Sequence, residues 1–138
     1  MDVLLVDDSE EDRTFIKKSI SRSDNLNHIT FDESTKMEEA LIKIKNKKYD
    51  SIILDLCLPD SNGIETIKNV LDTLKANNKN TPVIILTGQD DAKIGKIAFN
   101  LGIKDFLFKN DIQPKEIERS LTFANYSKRM DKKKISKK

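Results

Sequence analysis

Four short, unbroken apolar runs punctuate the chain, and each ends on residues able to do chemistry. Val3-Leu4-Leu5-Val6 ends in Asp7-Asp8, Ile52-Ile53-Leu54 in Asp55, Val83-Ile84-Ile85-Leu86 in Thr87-Gly88, and Phe106-Leu107-Phe108 in Lys109. Continuous runs of this length and type suit strands covered on both faces. A weaker strand is expected at His28-Ile29-Thr30-Phe31.

Helical periodicity fills the gaps. Phe15, Ile16, Ser19 and Ile20 make one stripe. Met37, Ala40, Leu41 and Ile44 make a second, opened by Thr35-Lys36-Met37-Glu38, which fits a capping box. Ile64, Ile67, Val70, Leu71 and Leu74 make a third. Ala92, Gly95, Ile97, Ala98 and Leu101 make a fourth, stopped by Gly102. Ile117, Leu121 and Ala124 make a fifth, with Pro114 suited to its first turn. The order is βα repeated five times, which predicts a doubly wound α/β domain with a five-stranded parallel sheet.

Composition narrows the function. A length of 138 residues is one domain. A single cysteine, Cys57, excludes an intramolecular disulfide, and one histidine, His28, leaves no set of soft metal ligands. No apolar run approaches the roughly 18 residues of a membrane helix. Asp2 interrupts any signal-peptide pattern at the start, so a cytoplasmic setting is expected. The net charge of +2 is unevenly spread. Residues 127–138 hold seven Lys or Arg against Asp131, which leaves residues 1–126 at −4. The basic end is therefore weak support for nucleic-acid binding. The expected division is a domain over 1–126 and a basic tail or shortened linker helix over 127–138.

In an open parallel sheet, ligands gather at the carboxyl ends of the strands. There the chain puts Asp7, Asp8, Asp55, Thr87 and Lys109. Each has a plain explanation alone: Asp7 or Asp8 as a helix cap before Ser9, Asp55 and Thr87-Gly88 as turn residues, Lys109 as a solvated loop lysine. Capping does not explain the conjunction at four separate strand ends. Two like charges 4 Å apart repel by about 4 kcal/mol at an effective dielectric of 20. Clustered carboxylates therefore want a cation, and with oxygen ligands alone Mg²⁺ is the natural one. A metal-bound carboxylate beside a hydroxyl and a lysine suits phosphoryl transfer, with a carboxylate as the nucleophile.

These residues resemble the receiver domain of two-component response regulators, the CheY-like family. The match rests on Val6-Asp7-Asp8, Asp55, Leu58-Pro59-Asp60 with Asn62-Gly63, Thr87-Gly88 and Lys109, and covers about residues 2–126. The resemblance implies a flavodoxin-like strand order 2-1-3-4-5. It implies that Asp55 accepts a phosphoryl group from a phosphohistidine on a histidine kinase or phosphotransfer protein. Asp7, Asp8, Asp55 and the carbonyl of Cys57 would hold Mg²⁺. Thr87 would close onto the phosphate, Lys109 would pair with it, and Gly88 would leave room for its oxygens. Phe106 would be the switch aromatic. The face of the fourth helix, fifth strand and fifth helix would bind a partner or a second copy, and the linker-helix reading of the tail would add an output domain beyond this chain. The activity implied is that of a signalling protein, not a metabolic enzyme.

Several positions depart from the family pattern. Asn110 stands where proline usually follows the lysine, so the Lys109-Asn110 bond is either cis or the loop differs. Phe106 lacks the hydroxyl of the tyrosine common there. Cys57 and Gln89 flank the expected path of an attacking water, so phosphate lifetime is not set by the pattern. Cys57 reads as a packed or half-buried thiol without a redox role, and His28 as a surface residue. Glu10, Glu11 and Asp12 read first as partners of a helix dipole, with tuning of the site as the alternative. Two other classes were weighed. A magnesium phosphatase of the haloacid-dehalogenase type would want a second Asp at position 57. A pseudo-receiver would have lost Asp55, Lys109 or an acid-pocket residue, and this chain keeps them.

Overall fold

The computed structural model describes residues 1–21, 28–88, 92–110 and 112–136. Gln89, Lys137 and Lys138 lie outside them. Strand β1 spans Asp2–Val6, α1 Glu10–Ser21, β2 Thr30–Ser34, α2 Met37–Asn46 and β3 Ser51–Leu54. A two-residue hairpin, β4 Cys57–Leu58 and β5 Ser61–Asn62, precedes α3 Ile64–Ala76. Then come β6 Val83–Thr87, α4 Ala92–Leu101, β7 Asp105–Phe108 and α5 Pro114–Ser136. The main sheet runs β2-β1-β3-β6-β7, with every pairing parallel. Counting sheet strands only, that is the expected 2-1-3-4-5 order of a flavodoxin-like α/β fold.

The apolar runs are continuous because alternate residues serve two cores. Leu4, Val6, Ile52, Leu54, Val83 and Ile85 face α2, α3 and α4. Val3, Leu5, Ile53, Ile84 and Leu86 face α1 and α5, meeting Ile16, Ile20, Ile117, Leu121 and Ala124. Each such fully buried side chain contributes about 1.5–3 kcal/mol of transfer free energy. Gly102 ends α4 at φ +107°, and the Ile103 amide reaches back to the Ala98 carbonyl at 3.3 Å, as a left-handed C-terminal residue permits. Pro114 opens α5.

Three local expectations are corrected. Strand β2 begins at Thr30, two residues later than expected, and continues to Ser34. Its register pairs Asp2 with Thr30 and Val6 with Ser34, and an edge strand's polar residues carry no apolar signal. The capping box at Thr35–Glu38 does not form. The Thr35 hydroxyl bonds Glu39 Oε1 at 3.3 Å, and the N-cap position is Lys36, without a side-chain cap. Asp60 caps α2 instead: its carboxylate accepts from the Met37 amide at 2.7 Å and the Glu38 amide at 2.9 Å. Two donated bonds to a carboxylate outcompete one to a hydroxyl. Finally, Cys57 is exposed, not packed, because the hairpin lifts it off the core.

No peptide bond among the described residues is cis, and Lys109-Asn110 is therefore trans. Helix α5 runs unbroken across the expected division at residue 126. Among the described residues no helix is long and apolar enough to cross a membrane.

Candidate functional site

The sheet ladder extends one step past its strands, and this sets the site. The Asp7 amide donates to the Ser34 carbonyl at 3.0 Å, the Asp55 amide to Val6 at 2.9 Å, and the Lys109 amide to Thr87 at 2.8 Å. Three residues from distant parts of the chain are thus fixed at one rim by backbone bonds alone. Asp7 is 1% exposed, Asp55 5% and Thr87 0%, whereas Asp8 is exposed. The Asp7 carboxylate also accepts from the Ser9 amide at 3.0 Å, and the Arg13 guanidinium holds the Asp7 carbonyl at 2.9 Å. Arg13 is itself tied to Glu33 at 3.0 Å, which orders the start of α1 against β2.

Lys109 binds three carboxylates. Its Nζ lies 2.7 Å from Asp7 Oδ2, 2.7 Å from Asp12 Oδ2 and 3.0 Å from Asp55 Oδ2. Burial works against its charge, but the bonds to Asp12 and Asp7 and the charge of Asp55 outweigh it and hold the ammonium above the usual lysine range. For Asp7 the balance goes the other way. Burial pushes its carboxyl up, and the bonds from Lys109 and the Ser9 amide only partly offset that.

Oxygen atoms of Asp7, Asp8 and Asp55 all lie within 4.8 Å of one another. Three carboxylates with no nitrogen or sulfur donor suit a hard cation such as Mg²⁺. The cluster could hold a metal, with Lys109 already neutralising part of its charge.

The remaining expected residues differ in their relation to this centre. The Cys57 amide donates to Asp55 Oδ1 at 3.3 Å, so the hairpin helps orient that carboxylate. A Cβ placed on Gly88 would meet nothing within 4 Å, so the rim beside Thr87 is open. Phe106 is half-buried, its ring centroid 5.3 Å from that of Phe108. His28 is exposed, as expected. Asp12, read from the sequence chiefly as a helix-dipole partner and alternatively as tuning the site, is joined to the centre by Lys109. Its signal in the sequence is its acidic charge in the first turn of α1.

Residues 3–122 match the family described as the response regulator receiver domain. The chain is 29% identical to the chemotaxis protein CheY of Thermotoga maritima over 119 residues, covering 86% of this chain and 92% of that one. It is 29% identical to the transcriptional regulatory protein ResD of Bacillus subtilis, covering 83% of this chain and 44% of that one. The chain thus spans about half the length of several curated relatives it matches. Among solved structures, a signal receiver domain from Vibrio parahaemolyticus superposes with a TM-score of 0.81 at 27% identity, covering 95% of this chain and 94% of that one. Fold, matched span and relatives agree: the chain belongs to the receiver domains of the response regulators of two-component systems.

Proposed function

We propose that this chain is the phosphoacceptor of a two-component relay, with Asp55 as the residue phosphorylated. The observation that carries the reading is the Asp55 carboxylate itself. It is nearly buried at the end of β3, held by Lys109 at 3.0 Å, and shares a metal-competent cluster with Asp7 and Asp8. An Asp55 carboxylate oxygen attacks the phosphorus of a partner's phosphohistidine. The P–O bond forms as the P–N bond breaks, and the bonding pair leaves with the imidazole. Lys109 offsets charge on the phosphoryl oxygens, and Thr87 supplies a hydroxyl to one of them at the open rim beside Gly88. Asp7, Asp8, Asp55 and the Cys57 carbonyl would hold Mg²⁺. When bound, that ion supplies further positive charge to the transferring group.

The output follows from the added charge. An aspartyl phosphate draws Thr87 toward it and opens space behind β6 for Phe106. Burying that ring is worth at most about 1.5–3 kcal/mol, or roughly a 10- to 100-fold population shift. The face affected is α4, β7 and α5. Six of the eight exposed large apolar residues among those described lie there: Ile97, Phe99, Leu101, Phe108, Phe123 and Tyr126. We infer that this face receives a second copy or an output domain, that the donor is a histidine kinase or phosphotransfer protein, and that the setting is cytoplasmic. A direct nucleic-acid role is not part of this reading.

Incubation of the full chain with Mg²⁺ and acetyl phosphate tests it. Wild type should gain ~80 Da, one phosphoryl group, and Asp55→Asn should not. Quantitative gain by Asp55→Asn would overturn the assignment, and no gain by wild type would favour a phosphorylation-independent binding module.

A further inference from the structure

Asp12 stands outside the acidic cluster, yet it makes one of the two shortest contacts to Lys109. Its Oδ2 accepts from Nζ at 2.7 Å across 97 residues of sequence. The side chain is presented from the first turn of α1, where the Asp12 amide is held by the Ser9 hydroxyl at 3.2 Å. Of the three protons an ammonium carries, Nζ donates to Asp12 and Asp55, and it lies 2.7 Å from Asp7 Oδ2 in an ion pair.

An anion arriving at Asp55 therefore meets a lysine already engaged by three carboxylates. A bond from Nζ to the anion competes with these contacts. Asp7 belongs to the cluster, so a bound cation can take up its carboxylate. Asp12 does not, so its bond persists as the direct competitor of the anion. With its side chain 42% exposed, water can take over the carboxylate at modest cost.

We propose that Asp12 is a positioning residue that restrains Lys109, so that release of this ion pair sets how readily the site takes an anion. The role rests on the phosphoacceptor reading of Asp55. An ion pair this exposed is worth about 0.2–1 kcal/mol, which corresponds to roughly a one-and-a-half- to fivefold change in affinity.

Beryllofluoride, a phosphoryl mimic, tests the role by calorimetric titration of the full chain in saturating Mg²⁺. Asp12→Asn keeps an oxygen acceptor and removes the charge, so it should bind the probe about two- to fivefold tighter than wild type. Asp12→Glu, which keeps the charge, should restore weaker binding. Glu11→Gln removes a like charge from the same helical turn and should leave affinity unchanged. A residue that merely supported α1 would weaken binding when altered, not tighten it. Equal or weaker binding by Asp12→Asn, or equal tightening by Glu11→Gln, overturns the proposal while leaving Asp55 as the acceptor. A wild type that binds no beryllofluoride removes the phosphoacceptor reading and this role together.

Discussion

Asp60 and Met37 lie 23 residues apart in sequence, and a carboxylate oxygen of the first accepts the backbone amide of the second at 2.7 Å. The loop after the candidate acceptor is thereby fastened to the start of α2. The bond from the Glu38 amide, with that from Met37, holds the Asp60 carboxyl below its usual range, outweighing the small effect of burial. A depressed folded pKa contributes stability above the unfolded value, about 4, and loses it as pH falls through the folded value. Asp60→Ala should cost about 0.5–2 kcal/mol at neutral pH. Urea unfolding should show that difference shrinking below pH ~4. A constant difference down to pH ~2 would mean that the cap's charge is irrelevant.

Lys109 is the common counter-ion of buried Asp7 and Asp55. Lys109→Met leaves those carboxylates facing one another, and should destabilise the metal-free protein by about 1–3 kcal/mol. Mg²⁺ should restore much of the loss, because a cation at the cluster replaces the missing charge. Thermal unfolding with EDTA and with Mg²⁺ separates the two conditions. A variant equally destabilised in both would indicate that Lys109 matters for packing rather than charge.

Gly95 lies inside α4, and a Cβ there would sit 4.0 Å from the Phe106 ring, an ordinary contact. Gly95→Ala should therefore fit, and should stabilise the protein by about 0.5–1 kcal/mol through helix propensity. Chemical denaturation measures this. A loss of stability would mean that Phe106 needs the space above Gly95 even at rest.

What could be read from the sequence follows the physics of each signal. Val3–Val6, Ile52–Leu54 and Val83–Leu86 announce themselves because burial on two faces leaves no polar residue in the run. β2 is an edge strand, and Asp32 and Glu33 within it are spent on Lys47 and Arg13, so its register had to come from β1. Asp7, Asp8, Asp55, Thr87 and Lys109 were legible because topology alone brings strand ends together. The partners of Asp12 and Asp60 were not. Each of these two acids bonds a partner remote in sequence, whereas local patterns for helix starts look only three residues ahead. The Thr35–Glu38 pattern was satisfied on paper and lost to a carboxylate arriving from elsewhere.

Helix α5 is held to the sheet by Ile117, Leu121 and Ala124, all within its first half. At 1.5 Å per residue, the twelve positions after Ala124 to the end of α5 span about 18 Å of helix axis. A rigid helix of that length converts a tilt at these core residues into a displacement at its far end. A tilt of about 5° displaces that end by about 1.6 Å, so a small repacking near Leu121 becomes a movement large enough for a neighbour to sense.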